Sequence, residues 1–138
     1  MVVRMRRIKS ETVAIREEPD LLLVRQLVRQ GAADLRFSKL QKTKAVTAAS
    51  ELGRNTLIHG GGGKMLLETL VDIARHGLRL TFEDHGPGIA DVEQAMADGY
   101  TTAGGLGLGL GGTKRLVDEF EIVSSVGEGT RVMVALWV

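Results

Sequence analysis

Leu78-Arg79-Leu80-Thr81-Phe82-Glu83-Asp84-His85-Gly86-Pro87-Gly88 is the stretch on which the fold turns. Leu78, Leu80 and Phe82 alternate with Arg79, Thr81 and Glu83, the period of two expected of a strand with one covered face. One further step of the same alternation places Asp84 on the covered side and His85 on the open side, where Pro87-Gly88 turns the chain out of the strand. An inward carboxylate loses hydration and must find hydrogen-bond donors. Upstream, Met65, Leu67, Val71 and Ile73 share one parity and Glu68 and Asp72 the other. This predicts a preceding strand over about 64–73, joined to the first through a turn at His76-Gly77.

Working outward from this hairpin, residues 11–16 alternate enough for a strand. Glu17, Glu18, Pro19 and Asp20 then give a helix start with negative charge in its first turn. Leu21, Leu22, Val24, Leu27 and Val28 recur at helical spacing, predicting a helix over about 20–33 with Gly31 near its end. Ser38 is placed to cap a longer helix that runs to about residue 59 and is ended by Gly60. After the hairpin come a short helix at 91–98, a glycine loop, and a helix at 112–118. Two strands, 121–126 and 130–137, meet across Gly127-Glu128-Gly129. Elements in this order predict an α/β fold: a two-layer sandwich of a mixed β-sheet with helices on one face.

The chain has 138 residues, a length suited to one domain, with 43% hydrophobic and 25% charged residues, the balance of a folded globular protein. It has no cysteine, which rules out disulfides, thiolate zinc sites and a catalytic thiol. The basic start lacks the apolar run of a secretion signal, so a cytoplasmic location and no membrane association are expected. The net charge of +1 conceals a split, with 11 basic against 5 acidic residues up to position 50 and 7 against 12 beyond it. The basic residues are scattered along helical stretches with Phe37 as their one accompanying aromatic, which argues for solvated faces and against nucleic acid. The 18 glycines, near twice the usual share of roughly 7%, are the compositional anomaly.

Four constellations carry chemistry. Glu51 and Asn55, four apart on the long helix, share one face. Alone they read as an exposed helix edge. Together they offer a carboxylate able to orient or deprotonate a hydroxyl and an amide oxygen suited to Mg2+, which takes few protein ligands. Asp84 with Gly86 and Gly88 reads either as a Pro-Gly turn or as an inward acid awaiting an adenine amino group, with the glycines allowing a planar base close to the backbone. In the run from Gly104 to Gly112 six of nine residues are glycine. That density suits a mobile loop or a cradle of backbone N–H groups for phosphate, followed by the positive end of a helix and by Lys114 and Arg115. Gly127-Glu128-Gly129-Thr130 is by itself a hairpin turn. His59 reads as a helix-end residue.

The order of these pieces, Glu-x-x-x-Asn, Asp-x-Gly-x-Gly, Gly-x-Gly-x-Gly and Gly-x-Gly-Thr, resembles the N box and glycine boxes of the GHKL ATPase and kinase superfamily. Glu51-Leu-Gly-Arg-Asn55, Glu83-Asp-His-Gly-Pro-Gly-Ile89, Asp98-Gly-Tyr-Thr-Thr-Ala-Gly-Gly-Leu-Gly107 and Lys114-Arg-Leu-Val-Asp-Glu-Phe120 are similar to the small bacterial switch-protein serine kinases of that superfamily. The likeness runs from about residue 45 to 138 and is looser before that. It implies a single ATP-binding domain over 1–138 with the Bergerat fold, ATP and Mg2+ as cofactors, Asn55 as metal ligand and Glu51 as catalytic residue. The nucleotide contacts it implies are Asn55, Asp84, Gly86, Gly88, Thr101, Thr102, Gly104, Gly105, Leu106, Gly107, Leu108, Gly109 and Thr130, with a lid over roughly 91–109. The implied activity is serine phosphorylation of a STAS-domain antagonist protein, with a PP2C-type phosphatase or another switch protein as a further partner. The alternative it leaves open is a nucleotide-dependent binding module or anti-sigma factor with little kinase activity. A sensor histidine kinase would need a dimerisation helix pair and the large GHKL ATPases a second domain, so neither is expected of this chain.

Overall fold

The computed structural model describes residues 6–97 and 109–138. Strand β1 (Arg6–Ile15) leads into helices α1 (Glu18–Asp34) and α2 (Lys39–Ile58). Strands β2 (Gly63–Val71) and β3 (His76–Asp84) follow, then α3 (Val92–Ala95), α4 (Gly109–Leu116), β4 (Glu119–Ser125) and β5 (Gly129–Trp137). The strands form one sheet in the order β1-β2-β3-β5-β4. The two-layer α/β arrangement is the one the sequence predicts, but every neighbouring pair is antiparallel rather than mixed. The cause lies in the connections. Two helices separate β1 from β2, so the chain re-enters the sheet at the end it left and runs back alongside β1.

Local chemistry sets the helix starts. The backbone N–H groups of Arg16 and Glu17 donate to Asp20 Oδ2 at 2.8 and 3.1 Å, with Pro19 in the first turn of α1. Ser38 caps α2 reciprocally: Gln41 N–H donates to Ser38 Oγ at 3.1 Å, and Ser38 N–H donates to Gln41 Oε1 at 3.0 Å. Gly31 does not end α1. It lies within the helix, where an added Cβ would stand 3.2 Å from Leu78 Cδ1, and the chain turns at Arg36 with a φ of 60°. Ile73 is also displaced from its expected inward place. Asp72 Oδ1 accepts from the N–H groups of Ala74 and Arg75, both at 2.9 Å, drawing the chain into a turn that leaves Ile73 82% exposed.

The inward sides of the strands meet α1 and α2 in one core that includes Ile15, Val24, Leu52, Met65, Leu80 and Val134. Asp84 follows Phe82 on the same side and is 9% exposed, whereas His85 points outward. A Cβ on Gly60, just past α2, would fall 2.3 Å from Asp84 Cγ, and one on Gly86 would fall 2.7 Å from Gly60 Cα. Main chain therefore closes on Asp84 at distances that only glycine allows. On the opposite face of the sheet Glu68 is hydrogen-bonded by Arg79 Nε at 2.9 Å, with Arg7 3.5 Å away. The hydrogen bond from Arg79 is the main cause holding the Glu68 carboxyl below its ordinary value, against the opposing effect of burial. Among the described residues no helix is long and apolar enough to cross a membrane.

Two measurements check this account. Gly60→Ala should lower stability by about 1–3 kcal/mol in urea unfolding, because the new methyl group must displace the Asp84 carboxyl; unchanged stability would contradict the close approach. The depressed Glu68 pKa makes its share of stability complete above its ordinary value of 4.5 and lost as pH falls through the folded-state value. Glu68→Gln should accordingly be roughly 1 kcal/mol less stable than wild type at neutral pH, with the gap narrowing on acidification. A gap that stays constant with pH would refute the assignment.

Candidate nucleotide site

Four chain ends converge at one end of the sheet: the C-termini of α2 and β3 and the N-termini of β5 and α4. They enclose a cavity of ≈ 400 Å³, within the range of small-molecule sites. Leu52, Phe82, Ile89 and Val132 give it apolar walls, and Asn55, Asp84 and Thr130 supply polar groups. Asp84 and Thr130 are directly paired in the β3–β5 ladder, so their side chains emerge side by side at the cavity wall. Asp84 Oδ1 accepts from Gly86 N–H at 2.9 Å, which fixes the carboxylate in the strand end. The site thus joins a flat apolar slot to a shielded anionic hydrogen-bond acceptor, the chemistry that fits a base with an exocyclic amino group.

On α2, Asn55 lines this cavity and Glu51, one helical turn earlier, is 3% exposed. The exposed-edge reading of this pair therefore does not hold. Between them Arg54 Nη1 approaches Glu18 Oε1 of α1 at 3.3 Å. Among the described residues no group of three or more His, Asp and Glu side chains is arranged to hold a metal ion. That is the condition under which Mg2+ is held by one protein oxygen together with phosphate oxygens, and the Asn55 amide oxygen at the cavity wall is a hard donor of the required kind. His59 caps the C-terminus of α2, donating its backbone N–H to Asn55 O at 2.9 Å, and borders the cavity.

The glycines divide by function. Gly88, with a φ of 76°, lines the cavity, but an added Cβ there would meet Ser125 O at 2.2 Å, so neighbouring chain already requires glycine at this position. Gly86 is not among the lining residues and is required by Gly60 instead. The expected approach of a base to both glycines thus has a competing structural cause. Gly109, with a φ of 64°, begins α4 three residues before the expected helix start and borders the cavity with Leu110. Thr101, Thr102, Gly104, Gly105, Leu106, Gly107 and Leu108 lie outside the described residues. Lys114 and Arg115 are exposed in the last turn of α4, away from the helix end that meets the cavity.

Sequence reasoning missed Thr56 and Ser124. Thr56 is 3% exposed, donates to Leu52 O at 2.9 Å and lines the cavity; its place next to Asn55 was the available signal. Ser124 receives the N–H of Ile89 at 2.8 Å and contacts Thr130 Oγ1 at 2.8 Å. Only the pairing of β4 with β5 brings it there.

Residues 15–136 match the model of the histidine kinase-like ATPase domain. The chain is 43% identical over 125 residues to the serine/threonine-protein kinase RsbT of Bacillus subtilis, covering 91% of this chain and 94% of that protein. It is 35% identical over 97 residues to an anti-sigma F factor of Anoxybacillus flavithermus, covering 65% of each. The solved RsbU and RsbW domains of Rv1364c from Mycobacterium tuberculosis superpose with a TM-score of 0.64 at 18% identity, over 93% of this chain and 32% of that one, a likeness of fold. The inward acid at the end of β3, the Glu51–Asn55 face of α2 and the extent of the match place the chain in the histidine kinase-like ATPase domain family.

Proposed function

We propose that this chain is an Mg-ATP-dependent serine kinase of a partner-switching pathway, acting in the cytoplasm on a STAS-domain antagonist protein and engaging a PP2C-type phosphatase or another downstream switch protein. The observation that carries this reading is the cavity built on Asp84, with the Glu51–Asn55 face of α2 beside it. The 43% identity to a serine/threonine-protein kinase over nearly the whole chain supports the activity.

Each residue has a definable task. Asp84 accepts a hydrogen bond from the adenine amino group, and the apolar walls exclude water from the base. The N-terminus of α4, with its unpaired backbone N–H groups and positive dipole end, favours the phosphate anion. Asn55 offers its amide oxygen to Mg2+, which when bound neutralises charge on the phosphate oxygens. Glu51 orients the serine hydroxyl. As the serine oxygen bonds to the γ-phosphorus and the bond to the β–γ bridging oxygen breaks, ADP leaves and the hydroxyl proton passes to the Glu51 carboxylate. Most of the rate gain comes from alignment and charge neutralisation.

A second reading, a nucleotide-dependent binder that sequesters a partner with little phosphorylation, is favoured by the likeness to anti-sigma F factors. Purified protein incubated with labelled ATP, Mg2+ and a STAS-domain protein separates the two. Label on serine is expected, whereas an ATP-dependent complex without label would replace the kinase by the binder. Glu51→Gln should slow transfer by roughly 10²–10⁴-fold while leaving ATP affinity within about threefold; undiminished transfer would remove Glu51 from the chemistry.

A further inference from the structure

Ser124 lies on β4 directly across from Thr130 of β5, and its hydroxyl makes three contacts. It accepts from Ile89 N–H at 2.8 Å, lies 2.8 Å from Thr130 Oγ1, and lies 3.1 Å from Gly129 O. A hydroxyl owns one proton and two lone pairs. The Ile89 N–H occupies one lone pair, so the single proton goes either to Thr130 Oγ1 or to the Gly129 carbonyl. The shorter contact is to Thr130.

A Thr130 hydroxyl that accepts from Ser124 must send its own proton elsewhere, and Thr130 lines the cavity beside Asp84. The wall then presents an acceptor, the Asp84 carboxylate, next to a donor, the Thr130 hydroxyl. Adenine carries the matching pair on its edge, an amino donor at N6 beside the N1 acceptor. Hypoxanthine carries the reverse, an oxygen acceptor at position 6 beside an N1–H donor. If the proton went to Gly129 instead, Thr130 would donate to Ser124 and face the cavity as a second acceptor, and this discrimination would vanish.

We infer that Ser124 is a positioning residue that directs the Thr130 hydroxyl into the cavity as a donor and thereby makes the site select adenine over 6-oxopurines. The inference rests on reading the cavity as a nucleotide site and adds to it the origin of base choice. Removing a designed hydrogen-bond match leaves buried polar groups unpaired, which is how such sites reject analogues.

The test is calorimetric titration with ADP and with inosine 5′-diphosphate, Mg2+ present, for the full chain and for Ser124→Ala, Thr130→Ala and the double variant. Wild type is expected to prefer ADP, and Ser124→Ala to reduce that preference by about tenfold. In the Thr130→Ala background Ser124→Ala should leave the ratio unchanged, because Ser124 acts through Thr130. A merely structural role, anchoring Ile89, would weaken both ligands equally and keep the ratio, which would overturn the inference, as would a ratio change that persists without Thr130. Ser124→Cys fills the same space with a weak donor and should shift the ratio in the same direction, so the test survives if Ser124→Ala unfolds. Wild type that binds neither nucleotide would sink the cavity reading itself, an outcome distinct from binding without discrimination.

Discussion

The structure depends on a carboxylate buried at the end of a strand. Asp84 follows Leu80 and Phe82 on the inward face, where apolar side chains are the ordinary occupants and an isolated charge is costly. The cost is met by main chain: Gly86 N–H donates to Oδ1, and Gly60 brings the end of α2 against the carboxyl group. On Gly129 an added Cβ would fall 2.1 Å from the Asp84 carbonyl oxygen, so the β4–β5 turn approaches as closely. Glycine enrichment in this chain is thus in part a packing requirement, and the polar cavity wall is a by-product of how the strand ends are joined.

The two ends of the sheet are built differently. At the end away from the cavity the elements are tied by side chains to backbone: His76 Nε2 to Leu35 O at 3.1 Å, Gln41 Nε2 to Trp137 O at 3.3 Å, and Trp137 N–H to Asp118 Oδ2 at 2.7 Å. Arg75 stacks on the Trp137 ring, 3.9 Å from its centroid. At the cavity end the same elements are held by close glycine contacts and by the Ser124 hydroxyl network, leaving space between α2, β3 and α4. Sites placed on the ends of regular elements in this way are held more precisely than sites on loops.

Much of this was legible in the chain. Alternation along 78–84 determined the strand and the inward placement of Asp84 without any tertiary information, because side-chain direction in a strand has a period of two. The capping pattern of Ser38 and Gln41 and the four-residue step from Glu51 to Asn55 likewise follow from helix geometry. The order of the motifs carried the family.

What the sequence left open depends on neighbours distant in the chain. Whether Glu51 lies on an exposed edge or in the interior depends on what packs against α2. The antiparallel course of all strand pairs follows from where two helices return the chain, which local pattern does not encode. Gly31 looked like a helix end and proved to be a contact with Leu78, since nearby residues report conformational preference and not the approach of another element. Amino-acid order by itself determined the elements, the inward acid and the family. The tertiary structure decided which glycines serve packing, and it brought Ser124 to Thr130, because proximity across a sheet is set by register.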